Sequence, residues 1–328
     1  MTVEKRSLGS SGMKVAPLAL GGNVFGWTAD EETSFRILDA FVDAGGNMID
    51  TADVYSAWVP GHQGGESETV IGRWLKRDSS KREKVIIATK VGFLGGQIVD
   101  GEYVASLEPK ALRSACEASL GRLGIDTIDL YYQHKDNEAV PLADSLGAMD
   151  QLAREGKIRS IGLSQFEPAR LTEAVKTAEA HGIMRPSVLQ TWYNMVSREK
   201  LEGPLRDAAL AAGMGIVPFY GLANGFLTGK YRSKEDLDKS VRGLRNVEYL
   251  EGRGMQVLQA LDGVAAETGA PLAAVALAWT NAQPGISATL ASATKLEQLD
   301  ELIASMHLKL TDDQLARLSK VSAAEVPA

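Results

Sequence analysis

Short apolar runs alternate with longer amphipathic runs along nearly the whole chain, and this pattern constrains the fold more than any single motif. Strand-like runs fall at 16–22, 47–51, 84–90, 127–133, 158–164, 187–193, 215–220 and 286–291. Helix-like runs fall at 32–44, 67–76, 109–123, 142–155, 167–180, 200–212, 271–283 and 296–306. Eight such units in about 300 residues match the size of a (β/α)8 barrel, an α/β TIM barrel, and the alternation implies parallel pairing. A doubly wound sheet would carry fewer strands and a glycine fingerprint at its first turn. Gly21-Gly22-Asn23-Val24-Phe25-Gly26 has the wrong glycine spacing for one. Three further segments are expected: an N-terminal β-hairpin at 5–15, a long polar functional loop at 221–252, and an extra C-terminal helix at 311–322. No low-complexity or Pro/Ser-rich linker divides the chain, so 1–328 reads as one domain.

Composition narrows the function classes. No run of about 18 apolar residues exists, so no membrane span is expected, and the charged start lacks the apolar stretch of a secretory signal. Cys116 is the one cysteine, which rules out an internal disulfide and fits a reducing cytoplasm. A net charge of -7 argues against nucleic acid as the main partner. His62, His181 and His307 show no metal-ligand spacing, so no metal is expected.

Functional groups of a (β/α)8 barrel sit at the C-terminal ends of its strands. There the chain offers Asp50 and Tyr55 after the second strand, Lys90 at the end of the third and His134 at the end of the fourth. These four residue types suit carbonyl reduction. Adding a hydride to a carbonyl creates an alkoxide that must be protonated as it forms. A tyrosine can supply the proton, but its ordinary pKa is about 10. A neighbouring ammonium, Lys90 held by Asp50, is expected to lower it. A histidine can hydrogen-bond the carbonyl oxygen and stabilise the developing charge.

The chain resembles the aldo-keto reductases over nearly its whole length. The resemblance is carried by Asp50-Thr51-Ala52-Asp53-Val54-Tyr55, Gly162-Leu163-Ser164-Gln165 and Gly225-Phe226-Leu227-Thr228-Gly229-Lys230-Tyr231. The last segment is similar to the bacterial branch near the potassium-channel β-subunits. The resemblance implies Asp50, Tyr55, Lys90 and His134 as the catalytic tetrad, and NADPH (NADP+ in the reverse direction) as cofactor, with NADH as the alternative. It implies nicotinamide-side contacts from Gly22, Asn23, Asp50, Ser164, Gln165, Gln190 and Phe219, and a pyrophosphate loop with Tyr220, Leu222, Asn224 and Gly225. Lys230 and Arg242 match basic positions of that branch, and Thr294, Gln298 and Glu301 match adenosine-end contacts. The phosphate-clamp positions of other branches read Ser292 and Gln298 here, so selection of NADPH falls to Lys230, Arg242 and Lys295.

Phe25, Trp27, Trp58 and Tyr193 are expected to line the substrate pocket, which would favour an apolar or aromatic aldehyde, ketone or alcohol. The expected protein is a cytoplasmic monomer or homo-oligomer. A regulatory or redox-sensing, NADPH-binding subunit with little turnover is the alternative. Other patterns carry less. Tyr131 and Lys135 have the spacing of a short-chain dehydrogenase pair, but they start in a strand rather than a helix. A hydrolase reading built on Asp53 and Glu66 would leave Lys90 without a task.

Overall fold

A computed structural model describes residues 3–99 and 102–323. Eight parallel strands form one sheet: β1 (Leu18–Gly21), β2 (Met48–Asp50), β3 (Ile86–Val91), β4 (Leu130–Gln133), β5 (Ile161–Ser164), β6 (Val188–Trp192), β7 (Gly215–Phe219) and β8 (Thr289–Ala291). Each strand from β1 to β6 pairs with the next, and β8 pairs with β1. Between β7 and β8 the ring closes through a parallel bridge from Ile216 to Ile286, with Ile216 N donating to Gly285 O and Ser287 N to Ile216 O, both at 2.9 Å. Helices follow the strands and surround them, so the chain is a (β/α)8 barrel.

The two-residue period of each strand decides what faces the lumen. On β3, Ile86 and Ala88 pack inside with Met48, Leu130, Tyr132, Val188 and Val217, whereas Ile87 and Val91 pack outward against the helices. Lys90 shares the parity of the inward residues. The same count aims Asp50 on β2, His134 beyond β4, Ser164 on β5, Gln190 and Trp192 on β6 and Phe219 on β7 into the barrel. Gly162 shows how tightly the interior is filled: a Cβ there would lie 2.3 Å from the Tyr132 ring. Gly162→Ala is therefore expected to destabilise the fold by about 1–3 kcal/mol through overpacking. Urea unfolding of the two proteins would measure it.

The hairpin pairs Arg6–Ser7 with Lys14–Val15 and closes the N-terminal end of the barrel. Its Leu8, Met13 and Val15 join the interior cluster. Gly9, at φ +52°, lies so close to the barrel floor that a Cβ would sit 2.1 Å from Ser187 O. With that end plugged, chemistry is left the C-terminal rim. The opposite face does carry a cleft of about 440 Å³ beside Lys5, Lys14, Lys84 and Arg159, but none of the expected site residues lines it.

Several boundaries differ from expectation. The strands are shorter than the apolar runs, and the run before β4 touches the run before β5 through a single bridge, Ile128 to Ile158. The helix expected from 200 starts at Pro204, which takes the first helical position, and a short 3-10 turn, Arg198–Lys200, precedes it. A helix not foreseen in the sequence, Arg253–Thr268, packs on the terminal helix Asp312–Ser322. Gly254 and Gly263 weaken its intrinsic signal. Tertiary contacts hold it: Arg317 grips Glu267 through two hydrogen bonds of 2.7 and 2.6 Å. The 221–252 loop is built from 3-10 turns, including Ala223–Thr228, Lys234–Lys239 and Gly243–Leu250. After β3, Gln97–Val99 and Glu102–Val104 form an antiparallel pair. Among the described residues no single helix is long and apolar enough to cross a membrane.

Candidate active site

Lys90, fully buried at the end of β3, organises the rim. Its ammonium is ion-paired to Asp50 Oδ1, donates to Thr51 O at 2.8 Å, and donates to the Tyr55 hydroxyl at 2.8 Å. Gln190, reaching across the barrel from β6, donates from Nε2 to Asp50 Oδ2 at 2.8 Å. Both Asp50 oxygens are thus engaged. A fixed carboxylate holds a fixed ammonium, which in turn fixes the phenol. Tyr55 and His134 face each other edge to face at 6.0 Å, so the structure brings all four expected residues together.

Each element end has a local support. Gly22 N donates to Asp50 O at 2.7 Å, and Thr51 N to Ala88 O at 2.8 Å. The helix Glu66–Lys76 ties the ends of three strands together. Ser67 Oγ donates to Gly22 O at 2.7 Å and lies 2.8 Å from Thr51 Oγ1, and Glu68 accepts from Thr89 at 2.6 Å. Among the described residues, the five non-glycine residues with left-handed φ all lie just beyond strand ends: Ser56, Gln165, Tyr220, Ala223 and Asn224. Strain of this kind collects where a ligand must be gripped.

Electrostatics modify one expectation. Burial pushes the Tyr55 phenol above its ordinary value, and the pull of Lys90 offsets this only in part. The expected net lowering is not found, because desolvating the phenolate costs more than one shared ammonium returns. Tyr55 is therefore a protonated phenol at neutral pH. Burial penalises the Lys90 ammonium too, but Asp50 and Tyr55 outweigh it and hold Lys90 above the usual lysine value. Burial, assisted by Lys90, drops His134 well below its usual value, so its ring is neutral.

Asp53 lies behind this group. Its carboxyl is pushed up to about 7, first by burial and then by Glu68. A carboxyl whose folded pKa exceeds its unfolded one favours folding when protonated. Stability is then lost as pH rises from about 4 through about 7, in total roughly 4 kcal/mol. Asp53→Asn is expected to be more stable than the parent at about pH 8 and no more stable at about pH 4. Urea unfolding at both pH values checks the sign. Equal effects at the two would contradict the assignment.

The expected cofactor residues line one arc of the rim. Ser164 Oγ and Asn224 Oδ1 are buried and have no hydrogen-bond partner among the described residues. The hydroxyl can donate or accept and the amide oxygen accepts, so the two suit a ligand with an amide group. Gln165 donates to His134 O at 3.0 Å, and Asn23 Oδ1 accepts from Ser292 at 2.6 Å. Phe219 and Tyr220 stand edge to face at 5.1 Å, and half-buried Leu222 packs against the outer apolar cluster. Lys230 folds back on Gly225, its Nζ 4.9 Å from the Tyr231 ring. Gln298 accepts from Thr294 N at 2.9 Å, and Glu301 lies exposed on the following helix. Gln190, expected to meet the cofactor, spends its Nε2 on Asp50.

The pocket wall departs from expectation. Trp27 and Trp58 do meet at the mouth, 5.5 Å apart, with Trp58 6.1 Å from Tyr55. Phe25 and Tyr193 do not line it. Phe25 is fully buried in the layer between strands and helices. Tyr193 has the outward parity of β6; it stacks on Trp279 at 6.0 Å and donates to Glu202 at 2.6 Å. Trp192, with inward parity, takes the inner position, 4.7 Å from Tyr220. Two residues not foreseen flank His134: Phe93, 4.4 Å from its ring, and Tyr103, stacked on Phe93 at 4.5 Å. Tyr131 packs in the outer layer, and Lys135 donates to Tyr103 O at 3.1 Å, so these two form no catalytic pair. Cys116 is fully buried, and burial pushes its thiol up to about 12, which leaves it unreactive.

Comparison with known proteins agrees with the barrel fold. The profile described as "Aldo/keto reductase family" matches residues 17–323. "Uncharacterized oxidoreductase YrpG" of Bacillus subtilis (strain 168) is 32% identical over 97% of this chain and 96% of its own length. A "Probable voltage-gated potassium channel subunit beta" of Arabidopsis thaliana is 31% identical over 91% of this chain and 90% of its own. "Aldo-keto reductase str7" of Strobilurus tenacellus is 30% identical over 98% and 90% respectively.

Proposed function

The chain belongs to the aldo/keto reductase family, and from that premise we propose that it reduces an aldehyde or ketone to an alcohol, reversibly, with NADPH as reductant. The observation that carries this reading is the phenol of Tyr55 at 2.8 Å from the buried ammonium of Lys90. A reduced nicotinamide supplies a hydride when bound. The residues of the chain do the rest. Tyr55 gives its proton to the carbonyl oxygen as negative charge grows there. Lys90 stabilises the phenolate left behind, and Asp50 with Gln190 keeps Lys90 in place. His134, neutral, donates a hydrogen bond to the same oxygen from one ring nitrogen.

Ser164, Asn224 and the Tyr220–Gly225 turn would hold the nicotinamide and pyrophosphate, with Lys230 as the cation for a phosphate. The preference for NADPH over NADH rests on Lys230 together with Arg242 and Lys295. The direct test mixes purified protein with NADPH and a panel of reactive aldehydes and follows loss of the reduced-cofactor absorbance. Turnover of at least some members is expected; folded protein inert toward all of them would overturn the reading.

A protonated donor also fixes the pH dependence. Because burial sets the Tyr55 phenol above about 10, reduction is expected to hold through neutral pH and to fall as pH rises into the alkaline range. A pH–rate profile that falls near neutrality would assign the proton to another group. The likeness to proteins named as channel β-subunits supports a second reading, a cofactor-binding regulatory subunit. Single-turnover kinetics separates the two, since a regulator would hold NADPH tightly and oxidise it slowly.

A further inference from the structure

We propose that Tyr132 is a positioning residue for the ion pair: its hydroxyl becomes the hydrogen-bond donor to Asp50 when Gln190 turns its amide to a bound nicotinamide. This rests on the reading that a nicotinamide cofactor binds at this rim. Tyr132 is fully buried on β4 with inward parity, and its register partners are Lys90 on β3 and Gly162 on β5. Because Gly162 has no side chain, the Tyr132 ring lies across β5; a Cβ there would come within 2.3 Å of it. The hydroxyl thereby reaches the neighbourhood of Gln190 on β6. Burial pushes this phenol well above its ordinary value, the Asp50 charge adds to the shift, and the Gln190 amide opposes it.

The hydroxyl has no hydrogen-bond partner among the described residues. Other buried phenols of the chain are matched: Tyr193 with Glu202 and Tyr231 with Ser240, both at 2.6 Å. Tyr131 shares the lack, but it packs in the outer layer rather than beside the ion pair. An unpaired buried hydroxyl is costly, and phenylalanine would fill nearly the same volume without that cost. A donor held unused beside a buried carboxylate is accounted for if that carboxylate loses another donor when a ligand binds.

Gln190 is the donor that can leave. Its Nε2 donates to Asp50 Oδ2 at 2.8 Å, while its register partner on β5 is Ser164, whose Oγ is also without a partner among the described residues. One amide thus borders both the ion pair and the part of the rim expected to hold the nicotinamide amide. When it rotates toward the cofactor, Asp50 keeps Lys90 but loses its other side-chain donor. Tyr132 flanks Lys90 and is the phenol placed to replace it. Asp50 then keeps the same number of hydrogen bonds in the free and bound states, so cofactor binding does not loosen Lys90.

Calorimetric titration with NADP+ and urea unfolding of the free protein test this together. Tyr132→Phe is expected to leave the free protein as stable as the parent or more so, since the lost hydroxyl has no partner there. NADP+ affinity should fall by about tenfold, the weight of one hydrogen bond to a charged group. Gln190→Leu removes the exchange, because Asp50 then depends on Tyr132 with or without cofactor. In that background, Tyr132→Phe should cost no more than about twofold in affinity, and it should instead lower the urea midpoint of the free protein. Equal NADP+ affinity in parent and Tyr132→Phe, the result expected of a hydroxyl bound to a resident water in both states, would overturn the proposal. So would an affinity loss of the same size in both backgrounds. A free Tyr132→Phe protein clearly less stable than the parent would make the hydroxyl structural and overturn it too. A parent protein that binds neither NADP+ nor NAD+ would instead overturn the cofactor reading, and the proposal with it.

Discussion

Tyr55→Phe is expected to cut carbonyl reduction by about a thousandfold while leaving cofactor affinity within a few-fold, since general acids of this kind contribute about 10²–10⁴. The substitution removes one oxygen and little volume. Lys90 keeps its ion pair with Asp50 and its hydrogen bond to Thr51 O, so the rim has no reason to collapse. What disappears is the proton source for the nascent alkoxide. Steady-state kinetics gives the rate, and fluorescence titration with NADPH gives the affinity. A variant retaining a tenth or more of the parent rate would move the proton-donor role elsewhere.

The second large effect belongs to Lys90. Lys90→Met is expected to abolish turnover and to destabilise the fold by about 3–5 kcal/mol, because it strands a fully buried carboxylate. The melting temperature should fall on the order of 10 °C. Asp50 would keep Gln190 as a partner and lose its counter-charge. The double variant Asp50→Asn/Lys90→Met removes both charges together, and it should recover most of the stability and none of the activity. Calorimetric melting and the aldehyde assay separate these outcomes. A double variant as unstable as the single one would mean that packing of the lysine stem, rather than the charge left behind, sets the cost.

Much of this architecture is legible in the residue pattern. Eight alternating units predict the barrel, and the structure has it. The count of two along β2 and β3 aims Asp50 and Lys90 inward with no further information. The same count applied to β6 selects Trp192 over Tyr193 as the residue facing the barrel. Other features lack any local signal. Gln190 meets Asp50 across a sequence separation of 140 residues, a contact that only ring closure creates. The helix Arg253–Thr268 is held by Arg317 and the terminal helix rather than by its own glycine-bearing sequence. Phe93 and Tyr103 reach His134 from a segment with no clear periodicity. The acidity of Tyr55 has no sequence signal, because a sequence shows which charge stands near a phenol, not how much water surrounds it.

The central claim is that Tyr55 protonates a carbonyl as it accepts a hydride from a bound reduced nicotinamide. Single-turnover reduction of an aldehyde with NADPH deuterated on the transferring side of the nicotinamide tests it most directly. A primary isotope effect is expected, with deuterium recovered on the former carbonyl carbon of the alcohol, and with loss of both product and label transfer on that timescale in Tyr55→Phe. Cofactor oxidation without labelled alcohol, or label transfer as fast in Tyr55→Phe as in the parent, would contradict it.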